Sequence, residues 1–215
     1  NFLERKTKIE HKKTIICGAS KVGKSYLVYD FLSNFKNEEY LYIDFFDLRN
    51  SNIDKELSLL DNFISLKDIK VLVLENFNNQ CKIPNCENII LTSQKSIEYK
   101  NFKKIELFAL DFEEYLLFDN KHQNITQSFN NFLKYGNLPL SINTEEHKKI
   151  SKLQDIIKMN SKDDTSYEIL KILIENIDEK KSIFQLFNQL KSKIKISKDR
   201  FYEECKELED KNSIF

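Results

Sequence analysis

Two of the three glycines in this chain lie in one short loop, and a lysine and a serine follow the second. The stretch TIICGASKVGKS matches the pattern G-x-x-x-x-G-K-[ST], with Gly18, Gly23, Lys24 and Ser25 in register. In such a loop backbone N–H groups surround a phosphate, the lysine reaches the outer phosphates, and the serine hydroxyl binds magnesium. These residues therefore predict a nucleotide site with Mg²⁺. The alternative is a glycine turn that carries a lysine and a serine by chance.

A strand and a helix must position this loop, and the flanking residues predict both. Residues 14–17 form a short apolar run that ends at the first glycine, which is typical of a buried strand. The apolar residues that recur at helical spacing after the loop are Leu27, Val28, Phe31, Leu32 and Phe35. Because phosphate loops occur between a strand and a helix, this context favours the binding site over the chance turn.

The rest of the chain predicts an α/β fold in which a parallel sheet comes first and helices follow. The runs KVLVLENF, NIILTSQ and KKIELFAL are mostly apolar, as strands buried on both faces of a parallel sheet are. Residues 40–46 predict a further strand, and residues 53–66 predict an amphipathic helix. Beyond Asp111 the periodicity is helical. We divide the chain into an α/β module (1–110), a helical lid (111–160) and a small helical domain (161–215).

Composition argues against several classes of function. The 34 basic and 34 acidic residues give a formal net charge of zero, so no global field attracts nucleic acid or a membrane. No apolar run reaches transmembrane length and no signal peptide is recognisable, so we expect a cytoplasmic protein without membrane association. The cysteines lack the paired spacing of zinc ligands, so we expect reduced thiols at Cys17, Cys81, Cys86 and Cys205.

Several pieces of the sequence, taken in order, resemble the AAA+-type P-loop ATPases of the archaeal-ATPase and STAND-related group. After the phosphate loop, VLVLEN resembles the second acidic motif, IILTSQ the sensor strand, IELFALDFEEYLLF the segment after it, and YGNLPLSI the GxP motif. The resemblance covers residues 1 to about 143, and residues 196–215 resemble the second half of a winged helix. It implies a parallel-sheet P-loop NTPase module, a helical lid and a winged-helix-like domain.

The resemblance also implies which residues form the site. ATP or ADP with Mg²⁺ would lie between the α/β module and the lid, with the proline of GNLPL against the adenine. The implied nucleotide-binding residues are Gly18, Ala19, Ser20, Lys21, Val22, Gly23, Lys24, Ser25, Tyr26 and Pro139. The implied catalytic residues are Lys24, Glu75, Asn76 and Thr92, and the implied magnesium ligands are Ser25 and Glu75. Without the resemblance, GNLPL is a helix end followed by a helix that restarts at proline.

The chain departs from the family at two positions that matter for hydrolysis. The family's apolar strand ends in Asp-Glu, whereas this one ends in Glu75-Asn76, and an amide cannot take a proton from water. Asp44 and Asp47 are candidate substitutes, although solvated carboxylates at a strand end are equally compatible with the sequence. No arginine follows the sensor strand, and the lysines there, Lys103 and Lys104, suit phosphoryl transfer less well in geometry.

Three functions remain open from the sequence. The first is a nucleotide-dependent switch with weak hydrolysis, the second an active ATPase, and the third a DNA-binding regulator. Residues 180–200 hold seven basic residues against one acidic residue, Asp199, which would suit contacts to phosphates or simply form a solvated surface. The next helix, however, carries Glu203, Glu204, Glu207, Glu209 and Asp210, which would face the phosphates of a DNA groove.

We therefore expect the C-terminal domain to contact a protein partner, with DNA a less favoured one. A second copy of the chain could supply the missing arginine, so oligomerisation remains open. The sequence ends at NSIF, where the wing of a winged helix would begin, so we expect the domain to be cut short or followed by further sequence.

Overall fold

The computed structural model describes residues 5–50, 57–77, 82–119 and 124–211. The strands in these ranges are β1 (Lys13–Cys17), β2 (Tyr40–Asp44), β3 (Val71–Glu75), β4 (Asn88–Ser93) and β5 (Lys103–Glu106). The α-helices are α1 (Lys24–Leu32), α2 (Leu60–Leu66), α3 (Phe112–Phe118), α4 (Ile125–Tyr135), α5 (Pro139–Asn143), α6 (Glu146–Met159), α7 (Asp164–Glu175), α8 (Ile183–Lys191) and α9 (Lys198–Asp210). The predicted α/β fold with a parallel sheet is confirmed.

The described strands form one sheet in the order β2-β3-β4-β1-β5, and each neighbouring pair is parallel. Successive residues of β3 alternate between the two faces: Leu72 and Leu74 join one core cluster, while Val71 and Val73 join the other. All five residues of β3 are buried. This burial on both faces explains why the strand reads as a continuous apolar run rather than an alternating one.

The helix after the glycine loop packs on one face of the sheet. Leu27 and Val28 of α1 lie in the same buried cluster as Val71 and Val73. Because the loop leads from the carboxyl end of β1 into this helix, α1 begins at that edge of the sheet. The predicted helix at residues 53–66 is observed as a short 3-10 turn (Leu57–Leu59) continuing into α2, and residues 53–56 of that prediction lie outside the described ranges.

The helices α3, α4 and α5 share an apolar cluster of their own. Its buried members are Leu110, Tyr115, Phe118 and Ile142, with Phe112 and Phe132 packed against them. Asp111 accepts from the backbone N–H of Glu114 over 2.8 Å, and the Glu114 carboxylate reaches back toward the N–H of Asp111, which forms a capping box at the start of α3. These helices belong to the same compact unit as the sheet, which extends to Asn143.

The second compact unit begins at Thr144 and contains α6 to α9. Its core is formed by Ile169, Ile172, Leu186, Phe187, Leu190, Phe201 and Cys205. The boundary that we placed after residue 160 falls in the short connection between α6 and α7, residues 160–163, inside this unit. Its described residues are helical or irregular, and the NSIF segment of the expected wing lies outside them. Among the described helices, none is both long and apolar enough to cross a membrane.

Candidate functional site

Gly18 is the residue at which the chain leaves β1, and neighbouring backbone leaves no room for a side chain there. A Cβ atom at Gly18 would lie 2.2 Å from the carbonyl oxygen of Leu107. The N–H of Gly18 donates to the carbonyl of Ser93 over 3.2 Å, and the N–H of Leu107 donates to the carbonyl of Cys17 over 2.7 Å. The start of the loop is therefore held between the ends of β4 and β5, and only glycine fits at this point.

Gly23 closes the loop and begins α1 in a left-handed backbone conformation, with φ of +104°. Lys21 is also left-handed, with φ of +64°. Within the described chain, no side chain caps the first turn of α1, so this helix end keeps the backbone polarity that attracts anions. A Cβ atom built on Gly23 would lie 3.7 Å from Cγ of Pro139. The structure therefore places Pro139, the first residue of α5, beside the loop.

The side chain of Lys24 is buried and folds back over its own loop. Its Nζ donates to the carbonyl oxygens of Gly18 and Ala19, each over 2.7 Å. Burial lowers the pKa of Lys24 to about 8, and the nearby Glu75 carboxylate opposes that shift. The ammonium group thus lies inside the curve of the loop, where the backbone carbonyls are its acceptors.

Ser25 and Glu75 face each other across the start of α1. The Ser25 hydroxyl donates to Oε1 of Glu75, the last residue of β3, and the glutamate is buried. A hydroxyl and a carboxylate are hard oxygen ligands of the kind Mg²⁺ prefers, and Mg²⁺ usually takes only one or two protein ligands beside phosphate oxygens. In the described ranges, no group of three or more His, Cys, Asp or Glu side chains forms a separate metal cluster. The pair therefore fits Mg²⁺ carried by a phosphate ligand.

Asn76 connects the ends of three strands. Its backbone N–H donates to Oγ1 of Thr92 over 3.0 Å, and Thr92 is fully buried in β4. Its side-chain amide donates to Oδ1 of Asp44, at the end of β2, over 2.8 Å. The φ of Asn76 is +56°, a left-handed conformation that asparagine tolerates better than most residues. The structure thus brings Glu75, Asn76 and Thr92 together and adds Asp44 to them.

The other predicted residues are placed less centrally. Asp47 pairs with Arg49, whose side chain holds the pKa of that carboxyl down to about 2. Lys104 pairs with Glu106 over 2.6 Å on β5, and Lys103 is exposed. Tyr26 is 62% exposed and meets Tyr29 edge to face. Ser20 is half-buried, Lys21 is exposed and Val22 is buried.

Arg5 contacts the loop directly, although no motif in the sequence indicated a role for it. Its guanidinium donates to the carbonyl of Val22 over 2.8 Å, to the carbonyl of Phe108 over 3.0 Å and to the Glu114 carboxylate over 2.9 Å. The residue is 8% exposed. One signal was available, because Arg5 is one of only three arginines in a chain rich in lysine.

The thiols that the structure describes are buried, which suits structural rather than reactive cysteines. Burial raises the pKa of Cys17 and of Cys86, and it raises that of Cys205 to about 11. Cys81 lies outside the described residues, so the structure does not address the spacing of Cys81 and Cys86.

Comparison with known proteins adds a relative but no function. No family model matches the chain. An uncharacterized protein of Methanocaldococcus jannaschii is 25% identical over 250 residues, an alignment that covers 96% of this chain and 56% of the relative. The chain thus spans little more than half the length of the relative it matches. A five-stranded parallel sheet with surrounding helices is consistent with a P-loop NTPase-like fold.

Proposed function

We propose that this chain is an AAA+/STAND-like P-loop protein that binds ATP or ADP with Mg²⁺ and acts as a nucleotide-dependent switch with weak hydrolysis. One observation carries the proposal: the loop that matches the phosphate-binding pattern lies between β1 and α1, with Lys24 inside it and the Ser25–Glu75 pair beside it. In a glycine turn that matches the pattern by chance, a buried lysine would be unexpected, because burying an ammonium group costs free energy.

Phosphate binding would replace contacts that the loop now makes to itself. Lys24 would exchange the carbonyls of Gly18 and Ala19 for phosphate oxygens, and the uncapped N-terminus of α1 would add backbone donors. Ser25 and Glu75 would hold Mg²⁺, which supplies positive charge against the phosphate oxygens when bound. The carboxylate and hydroxyl would then turn from each other toward the ion.

Pro139 supplies the link from nucleotide to the helices α3 to α5. It lies beside Gly23, so a nucleotide whose phosphates occupy the loop would place its base near the start of α5. These helices share one apolar cluster and would move as a body when Pro139 is displaced or drawn in. In this proposal the helices are the lid, and their position reports whether ATP, ADP or no nucleotide is bound.

In this proposal the helical C-terminal unit is a winged-helix-like domain, and it contacts a protein partner in response to the bound nucleotide. The basic residues of this unit are partly neutralised: Arg200 pairs with Asp163 over 2.6 Å, and Lys162 pairs with Glu207. Lys198, the first residue of α9, has its Nζ 5.5 Å from the ring centroids of both Phe184 and Tyr202. These pairings leave less positive charge free to contact DNA phosphates. Duplex binding that withstands random competitor DNA would instead favour the hypothesis of a DNA-binding regulator.

Calorimetric titration of the protein with ATP and ADP in the presence of Mg²⁺ tests the proposal. We expect dissociation constants in the low micromolar range or below, which corresponds to about 8 kcal/mol of binding free energy. Lys24→Ala should remove most of that affinity, whereas Lys100→Ala, at an exposed lysine between β4 and β5, should leave it unchanged. If titration of the unmutated protein with ATP and with ADP gives no heat of binding, the central proposal is wrong.

A further inference from the structure

The ends of β2 and β3 hold a carboxylate and an amide in hydrogen-bond contact, and neither group is needed for the phosphate and Mg²⁺ contacts proposed for the loop. We propose that Asp44 is the catalytic residue that orients the attacking water during ATP hydrolysis, and that Asn76 is the positioning residue that holds its carboxylate. The inference rests on the proposed function, and it gives to a residue of β2 the role that the Asp-Glu motif plays in the ATPases that the sequence resembles.

Two donors fix the Asp44 carboxylate, and both use the same oxygen. The side-chain amide of Asn76 donates to Oδ1 over 2.8 Å, and the backbone N–H of Phe46 donates to Oδ1 over 2.9 Å. In the described part of the chain, Oδ2 accepts no hydrogen bond. A carboxylate held at one oxygen with the second oxygen open has the arrangement needed to accept a hydrogen bond from a water molecule.

The carboxylate lies at the edge of the sheet where the glycine loop begins. Asp44 and Glu75 are direct partners in the parallel β2–β3 pair, so both residues lie at the carboxyl end of the sheet. In a parallel sheet this edge carries the ligand. Tyr29 of α1 lies within the field of both groups, since burial and the charges of Glu75 and Asp44 raise the pKa of its phenol. Asp44 therefore belongs to the same cluster as the Ser25–Glu75 pair.

The neighbouring carboxylates are already engaged. Glu75 accepts from Ser25 and is the proposed magnesium-side ligand, and Asp47 pairs with Arg49 at the surface. Asn76 presents an amide that cannot take up a proton. Glu75 also uses only Oε1 in this contact, but the proposed function assigns its carboxylate to Mg²⁺, which leaves Asp44 as the carboxylate available to water at the ends of β2 and β3 that the structure describes.

The reaction balances with water as the only co-reactant. The water oxygen bonds to the γ-phosphorus, and the bond from that phosphorus to the β–γ bridging oxygen breaks with its electron pair remaining on ADP. The water proton that is hydrogen-bonded to Asp44 leaves through the carboxylate to solvent. Because phosphoryl transfer depends mainly on placing the nucleophile in line, an oriented water is the main contribution that such a residue can make.

Asp44→Asn is the sharpest test, because the amide that replaces the carboxylate keeps an Oδ1 acceptor for both Asn76 and Phe46 and removes only the charge. The measurement is single-turnover hydrolysis of γ-labelled ATP with protein in excess, beside calorimetric ATP affinity. We expect the rate to fall about tenfold or more with an unchanged dissociation constant. Asp178→Asn removes the same charge at an exposed aspartate of the second unit and should leave both the rate and the affinity unchanged.

The role of Asn76 is tested in the same assay. Asn76→Ala should lower the rate without changing ATP affinity, and Asp44→Asn introduced into that variant should add little further loss, because both changes remove one function. Circular dichroism confirms that each variant is folded. An Asp44→Asn rate equal to that of the wild type, or a wild-type rate no faster than the protein-free control, overturns the assignment of Asp44. If the wild type binds no ATP in calorimetry, the proposed function itself fails.

Discussion

The guanidinium of Arg5 donates to the carboxylate of Glu114 over 2.9 Å, although the two residues are 109 positions apart in the chain. Both side chains are almost fully buried, with 7% and 5% of their surfaces exposed. The remaining Arg5 donors contact the carbonyls of Val22 and Phe108. One side chain therefore ties the N-terminal segment, the glycine loop and the first turn of α3 together.

Removing the Arg5 side chain should destabilise the sheet unit strongly. Arg5→Ala leaves the Glu114 charge buried without its partner, and breaking a buried pair in this way costs about 3–5 kcal/mol. Urea denaturation measures the change in the free energy of unfolding. The matched control is Lys6→Ala, which breaks two exposed ion pairs with Asp111 and Glu113 and should change the urea midpoint little. Equal losses of unfolding free energy in the two variants would mean that the buried ion pair stabilises the protein no more than the exposed pairs do.

The fold could be predicted largely because its signals are local. The apolar run, the glycines and the helical spacing around the loop occupy consecutive residues, so periodicity identifies the strand, the loop and the helix. The contact between Asn76 and Asp44 joins residues 32 positions apart, and the contacts of Arg5 with Glu114 and Phe108 join residues more than a hundred positions apart. Such contacts depend on the order of strands in the sheet, which periodicity does not specify.

Acid should weaken the second unit through Glu207. Its carboxylate pairs with Lys162 and Lys211, and these ammonium groups lower its pKa to about 2. A carboxyl group whose pKa is lower in the folded state than in the unfolded state contributes stability above the unfolded pKa of about 4.5 and loses that contribution as the pH falls toward 2. The ion pairs should therefore stabilise the unit at neutral pH and not at pH 2.

Thermal unfolding by circular dichroism between pH 7 and pH 2 checks this sign. Glu207→Gln should melt at a lower temperature than the wild type at pH 7, and the difference should shrink as the pH falls through 4.5. Glu209→Gln, at an exposed glutamate of the same helix, should follow the wild type throughout. A Glu207→Gln difference that stays constant with pH would show that the loss comes from packing rather than from charge.

Pro139 provides a test of the lid that leaves the phosphate loop unchanged. Pro139→Glu places a carboxylate beside Gly23, where it would repel a phosphate and occupy the space proposed for the base. We expect ADP affinity to fall with little change in the melting temperature. Ile125→Glu introduces the same charge at an exposed position of α4 and serves as the control. Full ADP affinity in a folded Pro139→Glu variant would show that the GNLPL segment takes no part in nucleotide binding.

The isolated protein should hydrolyse ATP slowly, below the usual range of roughly 1–1000 per second. All three of its arginines are engaged: Arg5 with Glu114, Arg49 with Asp47, and Arg200 with Asp163. An arginine that stabilises the transferring phosphoryl group is worth about a thousandfold or more in rate, and each of these three is already paired with a carboxylate. Lys104, on β5, is itself paired with Glu106.

A phosphate-release assay under saturating ATP and Mg²⁺ measures this rate directly, with Lys24→Ala as the control for contaminating activity. Slow release that Lys24→Ala abolishes is the expected result, because the loop would still bind nucleotide while the charge on the phosphoryl oxygens lacks an arginine. A protein with this balance would keep bound ATP unhydrolysed for long periods, which suits a switch. Rapid wild-type release that Lys24→Ala abolishes would instead identify a conventional ATPase and contradict the switch.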